Sequence, residues 1–234
     1  MSSNDHFEPP LASLGLTHVY YNPDDPVSLV SAWLALVPQA LVISYTALIW
    51  GQREVELILM FAGQLGCEAV NWALKRLIKE ARPTQMHGNG YGMPSSHAQF
   101  VAFFSVYITL WAFFRCGYLS SLKRIAVALL SFSGATAISL SRIYLSYHTP
   151  RQVLAGVLAG TALAVSWFCT TSYVRQCKVK IAERTPWQWM LWVGSLIYAK
   201  DMCLDVDLVE HGYDLWKASQ GEVEVQKNGK NKVN

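Results

Sequence analysis

The sequence predicts an all-α fold, a polytopic membrane helix bundle, and three observations carry that expectation. Hydrophobic residues make up 52% of the 234 positions and charged residues only 15%, a balance few soluble domains show. Apolar runs of about 18 residues or more, long enough to cross a bilayer core as helix, recur along the chain. The basic and histidine-bearing segments stand at the ends of those runs rather than within them.

Residues 1–26 are polar and acidic, with no Lys or Arg. They lack the basic start of a cleavable signal, so the first apolar run is read as its own insertion signal. Five spans follow: Val27 to Trp50, Val55 to Leu74, Ala98 to Phe114, Ile125 to Leu140 and Val153 to Val174. The second carries Glu56, Glu68 and Asn71, which are expected to face protein rather than lipid. A sixth stretch, Trp187 to Ala199, is short for a span. Its Trp187, Trp189, Trp192 and Tyr198 suit either the headgroup belt or a tilted crossing. The domain reading is therefore a polar N-terminus over 1–26, a membrane-embedded domain over 27–200 and a polar tail over 201–234.

Five scattered cysteines, Cys67, Cys116, Cys169, Cys177 and Cys203, form no CxxC pair and no cluster with histidine, which argues against a zinc site. A dispersed net charge of +3 argues against nucleic acid as a partner.

Three segments carry the chemistry: KRLIKEARP from Lys75 to Pro83, MPSSH from Met93 to His97 and SRIYLSYH from Ser141 to His148. Counting crossings, all three fall on the same membrane face, here side A. Lys75 and Arg82 close the second span, Ser95, Ser96 and His97 open the third, and Arg142 and His148 lie between the fourth and fifth. Lys75 and Arg82 are seven positions apart, about two helical turns, so a continuing helix would put both on one face. Ser95 and Ser96 would form the first turn of the third span, where open backbone N–H groups and the positive end of the helix attract an anion. Taken singly, such cations are snorkelling anchors and Pro-Ser-Ser is a helix start. Together they hold a phosphoryl group, with guanidinium forks at Arg82 and Arg142 and a point charge at Lys75. His6, His18, His87 and His211 stand apart from this constellation.

The spacing Lys, six residues, Arg-Pro, then Pro-Ser-x-His, then Ser-Arg, five residues, His resembles the type-2 phosphatidic acid phosphatase superfamily, which shares its site with vanadium haloperoxidases. The resemblance covers roughly residues 70 to 165. The longer forms MPSSHAQF and SRIYLSYHTPRQV look like the branch that hydrolyses dolichyl diphosphate in the endoplasmic reticulum and recycles the lipid carrier of N-linked glycosylation. Two positions depart from the usual pattern: Ser96 stands where Gly is common, and Gln152 where an Asp follows the last His by four. Gln152 can accept the Nδ1 proton of His148 but supplies no charge.

The resemblance implies His148 as nucleophile, oriented by Gln152, and His97 as acid and then base. Lys75, Arg82, Ser95, Ser96 and Arg142 are implied as the phosphate cage. A phosphohistidine intermediate follows, and with the cage in place of a metal no metal and no cofactor are expected. The implied partners are a polyprenyl (dolichyl) diphosphate and the lipid bilayer. Side B carries Arg53, Arg115, Lys123, Arg124, Arg175, Lys178, Lys180 and Arg184, against Arg76, Lys79 and Arg151 on side A outside the cage. The positive-inside rule then makes side B cytoplasmic and the active site lumenal. Lys230 and Lys232 resemble a cytosolic retrieval signal of the endoplasmic reticulum.

Overall fold

Proline sets the first departure from a simple row of spans. The computed structural model describes residues 12–14, 19–83, 90–181, 183–201 and 211–218. The first membrane segment is split into α1 (Pro26–Leu34) and α2 (Val37–Gln52). Pro38 stands in the first turn of α2, where its missing N–H and its ring exclude a regular turn continuing from Leu34. α1 starts cleanly because Asp25 accepts from the N–H groups of Val27 and Ser28.

The remaining long helices are α3 (Val55–Ile78), α4 (Ser96–Phe114), α5 (Ser121–Tyr144) and α6 (Pro150–Gln176). Counting α1 with α2, five helical segments are long and apolar enough to cross a membrane, matching the five expected. Their outer faces carry exposed residues such as Ile43, Leu129, Leu130 and Leu158, as surfaces turned to lipid do. A small antiparallel hairpin precedes them, β1 (Ala12–Leu14) and β2 (Val19–Tyr21). An all-α reading misses it. It sits at the site end, where Tyr20 N–H donates to the Tyr147 hydroxyl at 2.8 Å.

α4 is the central helix and packs most closely on α6. Gly156 and Gly160, four residues apart on α6, let the backbones meet: a Cβ at Gly156 would stand 2.6 Å from Ser95 O, and one at Gly160 would collide with Gln99 O. The helices run parallel, Ser95 beside Gly156 and Gln99 beside Gly160. Polar bonds seal α4 against α3. Gln99 Nε2 donates to Cys67 O at 2.9 Å and its Oε1 accepts from Asn71 at 2.7 Å. Asn71 therefore faces protein, as expected, and so does Glu56 at 4% exposure.

The Trp-rich segment is α7 (Pro186–Ser195). The chain leaves α6 at side B. It then returns to the α2–α3 turn at the same side, where Lys200 N–H donates to Arg53 O and Lys200 O accepts from Val55 N–H, both at 2.9 Å. A segment that starts and ends at one side does not cross, which decides between the two readings its sequence allowed. His6, His18, His87, Cys203, Lys230 and Lys232 lie outside the described residues.

Candidate active site

The three motifs meet at one end of the bundle. The first does so differently from the helical expectation. α3 ends at Ile78, with Lys79 turning left-handed at φ 54, so Arg82 does not extend the helical face of Lys75. The chain instead leaves the helix, and residues 80–81 are tied sideways: Gly92 N–H donates to Glu80 O at 2.6 Å, and Gln152 Nε2 donates to Ala81 O at 2.8 Å. Lys75, still in the last turn of α3, places Nζ 3.4 Å from Ser96 Oγ.

The second motif opens α4. Ser95 is fully buried and caps the helix without a side-chain bond, and its Oγ has no partner among the described residues. Its backbone N–H, expected to face an anion, instead donates to Gln152 O at 3.1 Å. That bond locks the start of α4 to the start of α6. Gln99 N–H is the first to take a helical acceptor, Ser95 O at 3.0 Å, so among the described residues Ser96, His97 and Ala98 are left as the open backbone donors of the first turn.

The third motif is a tight corner. Arg142, 2% exposed, lies in the last turn of α5, and its own carbonyl accepts from both Tyr147 N–H and His148 N–H. Ser146 at φ 55 makes the bend. Thr149 and Gln152 then form a capping box that starts α6. Among the described residues neither Arg142 nor Lys75 is in an ion pair.

Each histidine has one ring nitrogen assigned by its neighbour. His97 Nε2 lies 3.2 Å from Ala35 O, the carbonyl exposed by the α1–α2 break. A carbonyl only accepts, so Nε2 carries the hydrogen and Nδ1 is the nitrogen that exchanges protons. His148 Nδ1 lies 3.2 Å from Gln152 Oε1, so here Nδ1 carries the hydrogen and Nε2 holds the lone pair. Burial pushes the His148 imidazole down to about 4. The Gln152 bond opposes that shift, and the charges of Arg82 and Lys75 add to it. His148 is thus neutral at physiological pH.

A cavity of about 480 Å³ lies beside this cluster, lined by Pro38, Val42 and Ile43 of α2, Glu68 of α3, and Ser96, His97 and Phe100 of α4. Its apolar wall leads along α2 to the ring of His97. Glu68 is a lining residue there, with Oε1 unpartnered among the described residues. Residue-level reading missed the backbone of Ala35 and the side chain of Glu80, whose Oε1 accepts from Gln152 Nε2 at 2.9 Å. Glu80 does sit inside the first motif, two places before Arg82.

The family profile of the PAP2 superfamily matches residues 55–176, which contain all three motifs. A protein of Neurospora crassa is 42% identical, with 93% of this chain and 97% of that one covered. Dolichyldiphosphatase 1 of Dictyostelium discoideum is 35% identical over 87% of this chain and 88% of its own. Among solved structures, a transmembrane PAP2-type phosphatidylglycerolphosphate phosphatase from Bacillus subtilis superposes with a TM-score of 0.51 at 21% identity, covering 66% of this chain and 76% of that one. The bundle, the motifs gathered at one end of it, and these likenesses agree: this chain belongs to the PAP2 superfamily.

Proposed function

We propose that this membrane-embedded lipid phosphatase hydrolyses dolichyl diphosphate to dolichyl phosphate and inorganic phosphate through a phosphohistidine on His148. The observation that carries the reading is the state of His148: buried, neutral, with Nδ1–H on Gln152. Its Nε2 lone pair is thereby available beside Arg82 and Lys75.

The Nε2 pair attacks the terminal phosphorus, and the bond to the bridging oxygen breaks with its electrons passing to dolichyl phosphate. Lys75, Arg82, Arg142, the Ser95 hydroxyl and the Ser96 and His97 N–H groups stabilise the equatorial oxygens. His97 Nδ1–H supplies the proton to the leaving oxygen, then takes one from the water that cleaves the phosphohistidine. These roles are supported by the meeting of the motifs. The substrate reading is supported by the dolichyldiphosphatase likeness and by an apolar cavity ending at His97, which suits a long tail that stays in the bilayer. Arg115 and Arg175 are engaged with carboxylates. With both set aside, side B still keeps Arg53, Lys123, Arg124, Lys178, Lys180 and Arg184 against Arg76, Lys79 and Arg151. That asymmetry supports a lumenal site in the endoplasmic reticulum and a place in carrier recycling for N-linked glycosylation.

The test is purified protein assayed against dolichyl diphosphate, undecaprenyl diphosphate, phosphatidate and a sphingoid phosphate, with rapid acid-free quenching to trap labelled phosphohistidine. Preference for the dolichyl substrate, a label lost in His148→Ala, and turnover that persists in excess chelator are expected. Preference for a monophosphate lipid would overturn the substrate, and a label retained in His148→Ala would overturn the mechanism.

A further inference from the structure

A carboxylate stands one hydrogen bond beyond Gln152, at Glu80. Gln152 is 1% exposed and all four of its amide valences are used. Oε1 accepts from His148 Nδ1 at 3.2 Å and Thr149 N–H at 3.3 Å, while Nε2 donates to Glu80 Oε1 at 2.9 Å and Ala81 O at 2.8 Å. Glu80 and Ala81 offer only acceptors to Nε2, and Thr149 N–H only a donor to Oε1, so together they decide which end of the amide faces His148. If the amide turned over, its NH2 would donate to Nδ1. The ring proton would move to Nε2, the atom that must attack.

We propose that Glu80 is a positioning residue that acts on His148 through Gln152, locking the amide so that Nε2 of His148 stays unprotonated and passing a negative charge toward the imidazolium side of the reaction. The proposal rests on the reading of His148 as nucleophile. Gly92 completes the device. Its N–H anchors Glu80 O at 2.6 Å, and a Cβ there would stand 2.7 Å from Gln152 Nε2 and 2.8 Å from Oε1. The charged groups that bear on the His148 ring are then Arg82 and Lys75 from the first motif, and Glu80 by way of the amide. Glu80 is the one carboxylate bonded into this cluster among the described residues.

The experiment compares full-length Glu80→Gln, Glu80→Ala, Gln152→Glu and the exchange E80Q/Q152E with the native protein. It measures kcat, KM and the pH profile, with thermal midpoints to verify folding and His148→Ala as the inert reference. Glu80→Ala should lose about 10- to 100-fold in kcat with KM little changed, because the imidazole then samples the wrong tautomer. Glu80→Gln should lose less and move the acidic limb of the profile to lower pH. Gln152→Glu alone sets two carboxylates against each other and should be poor at neutral pH. The exchange restores one carboxylate and one amide, so it should recover most of the activity with its acidic limb raised. Native kcat and pH profile in both Glu80 variants, or an exchange no better than Gln152→Glu, overturns the relay while leaving the nucleophile assignment intact. Activity in His148→Ala brings down that assignment instead.

Discussion

The two ends of the bundle both bury arginine, and they treat it in opposite ways. At side B, Arg115 meets Glu56 at 2.7 Å and Arg175 meets Glu56 at 2.6 Å and Asp201 at 2.8 Å. Arg115 Nη2 is also bonded to Phe168 O, Thr171 and Ser172. At side A, Arg142 is buried more deeply still, with Ser31 O and the Ser141 hydroxyl at a loose 3.4 Å and no carboxylate among the described residues. A buried cation with matched anions suits a scaffold role, whereas one held without an anion suits the proposed role of receiving a ligand that brings its own charge.

Substitutions at the two ends should therefore separate activity from stability. The largest effect is expected from Arg142→Met. Turnover should fall by about a thousandfold or more as an equatorial oxygen loses its partner, with the thermal midpoint unchanged or raised, since no buried counter-ion is orphaned. A matching loss of midpoint would make Arg142 scaffold and break the contrast. Glu56→Gln should do the reverse. It strands Arg115 and leaves Arg175 with Asp201 alone, costing about 3 kcal/mol, while kcat of the folded protein stays near native. Vanadate should raise the midpoint of native protein and of Glu56→Gln, and fail to do so for Arg142→Met, which a thermal melt in detergent reads directly.

Gly92→Ala sharpens the contrast within the site end. The added methyl would overlap the hydrogen-bonded amide of Gln152 and press on Ala81 O, so kcat should drop about tenfold with KM nearly unchanged and a lowered midpoint; a midpoint loss without a kcat change would count against it. The smallest effect is a shift of pH dependence. With the His148 imidazole held at about 4, the acidic limb of kcat/KM should appear only as pH drops through that value, because attack needs the neutral ring. An acidic limb near the ordinary histidine value of about 6.5 would show that burial does not govern this ring.

Composition and run length are global signals, and they made the five spans and the shared face of the motifs legible. The bond between Gln152 and His148 was legible because a departure four residues after a histidine points along one helical turn. What escaped depended on local geometry that no residue type announces. Lys79 ends α3 in a left-handed conformation without the glycine that usually marks such a stop. The first span reads as one apolar run, and its break at Pro38 is what exposes Ala35 O to His97. Ser95 N–H looked like an anion donor from its place at a helix start, yet a neighbouring helix claims it. Glu80 sat in plain view among basic residues, and its role depends on a contact 72 positions away.

The parallel packing of α4 on α6 has a further consequence for the field inside the protein. Antiparallel neighbours let their peptide dipoles cancel, but parallel ones add, so this pair behaves as a single larger dipole along the shared helix direction. Its positive pole is formed by the two N-termini joined through Ser95 and Gln152, where the phosphate would bind. Its negative pole is occupied by Arg115 at the C-cap of α4 and Arg175 in the last turn of α6. The glycines at 156 and 160 thus do more than permit close contact: by holding the two helices in register, they aim both positive ends at one point. A bulky residue at either glycine would splay the pair and blur that focus even with every charged side chain still in place.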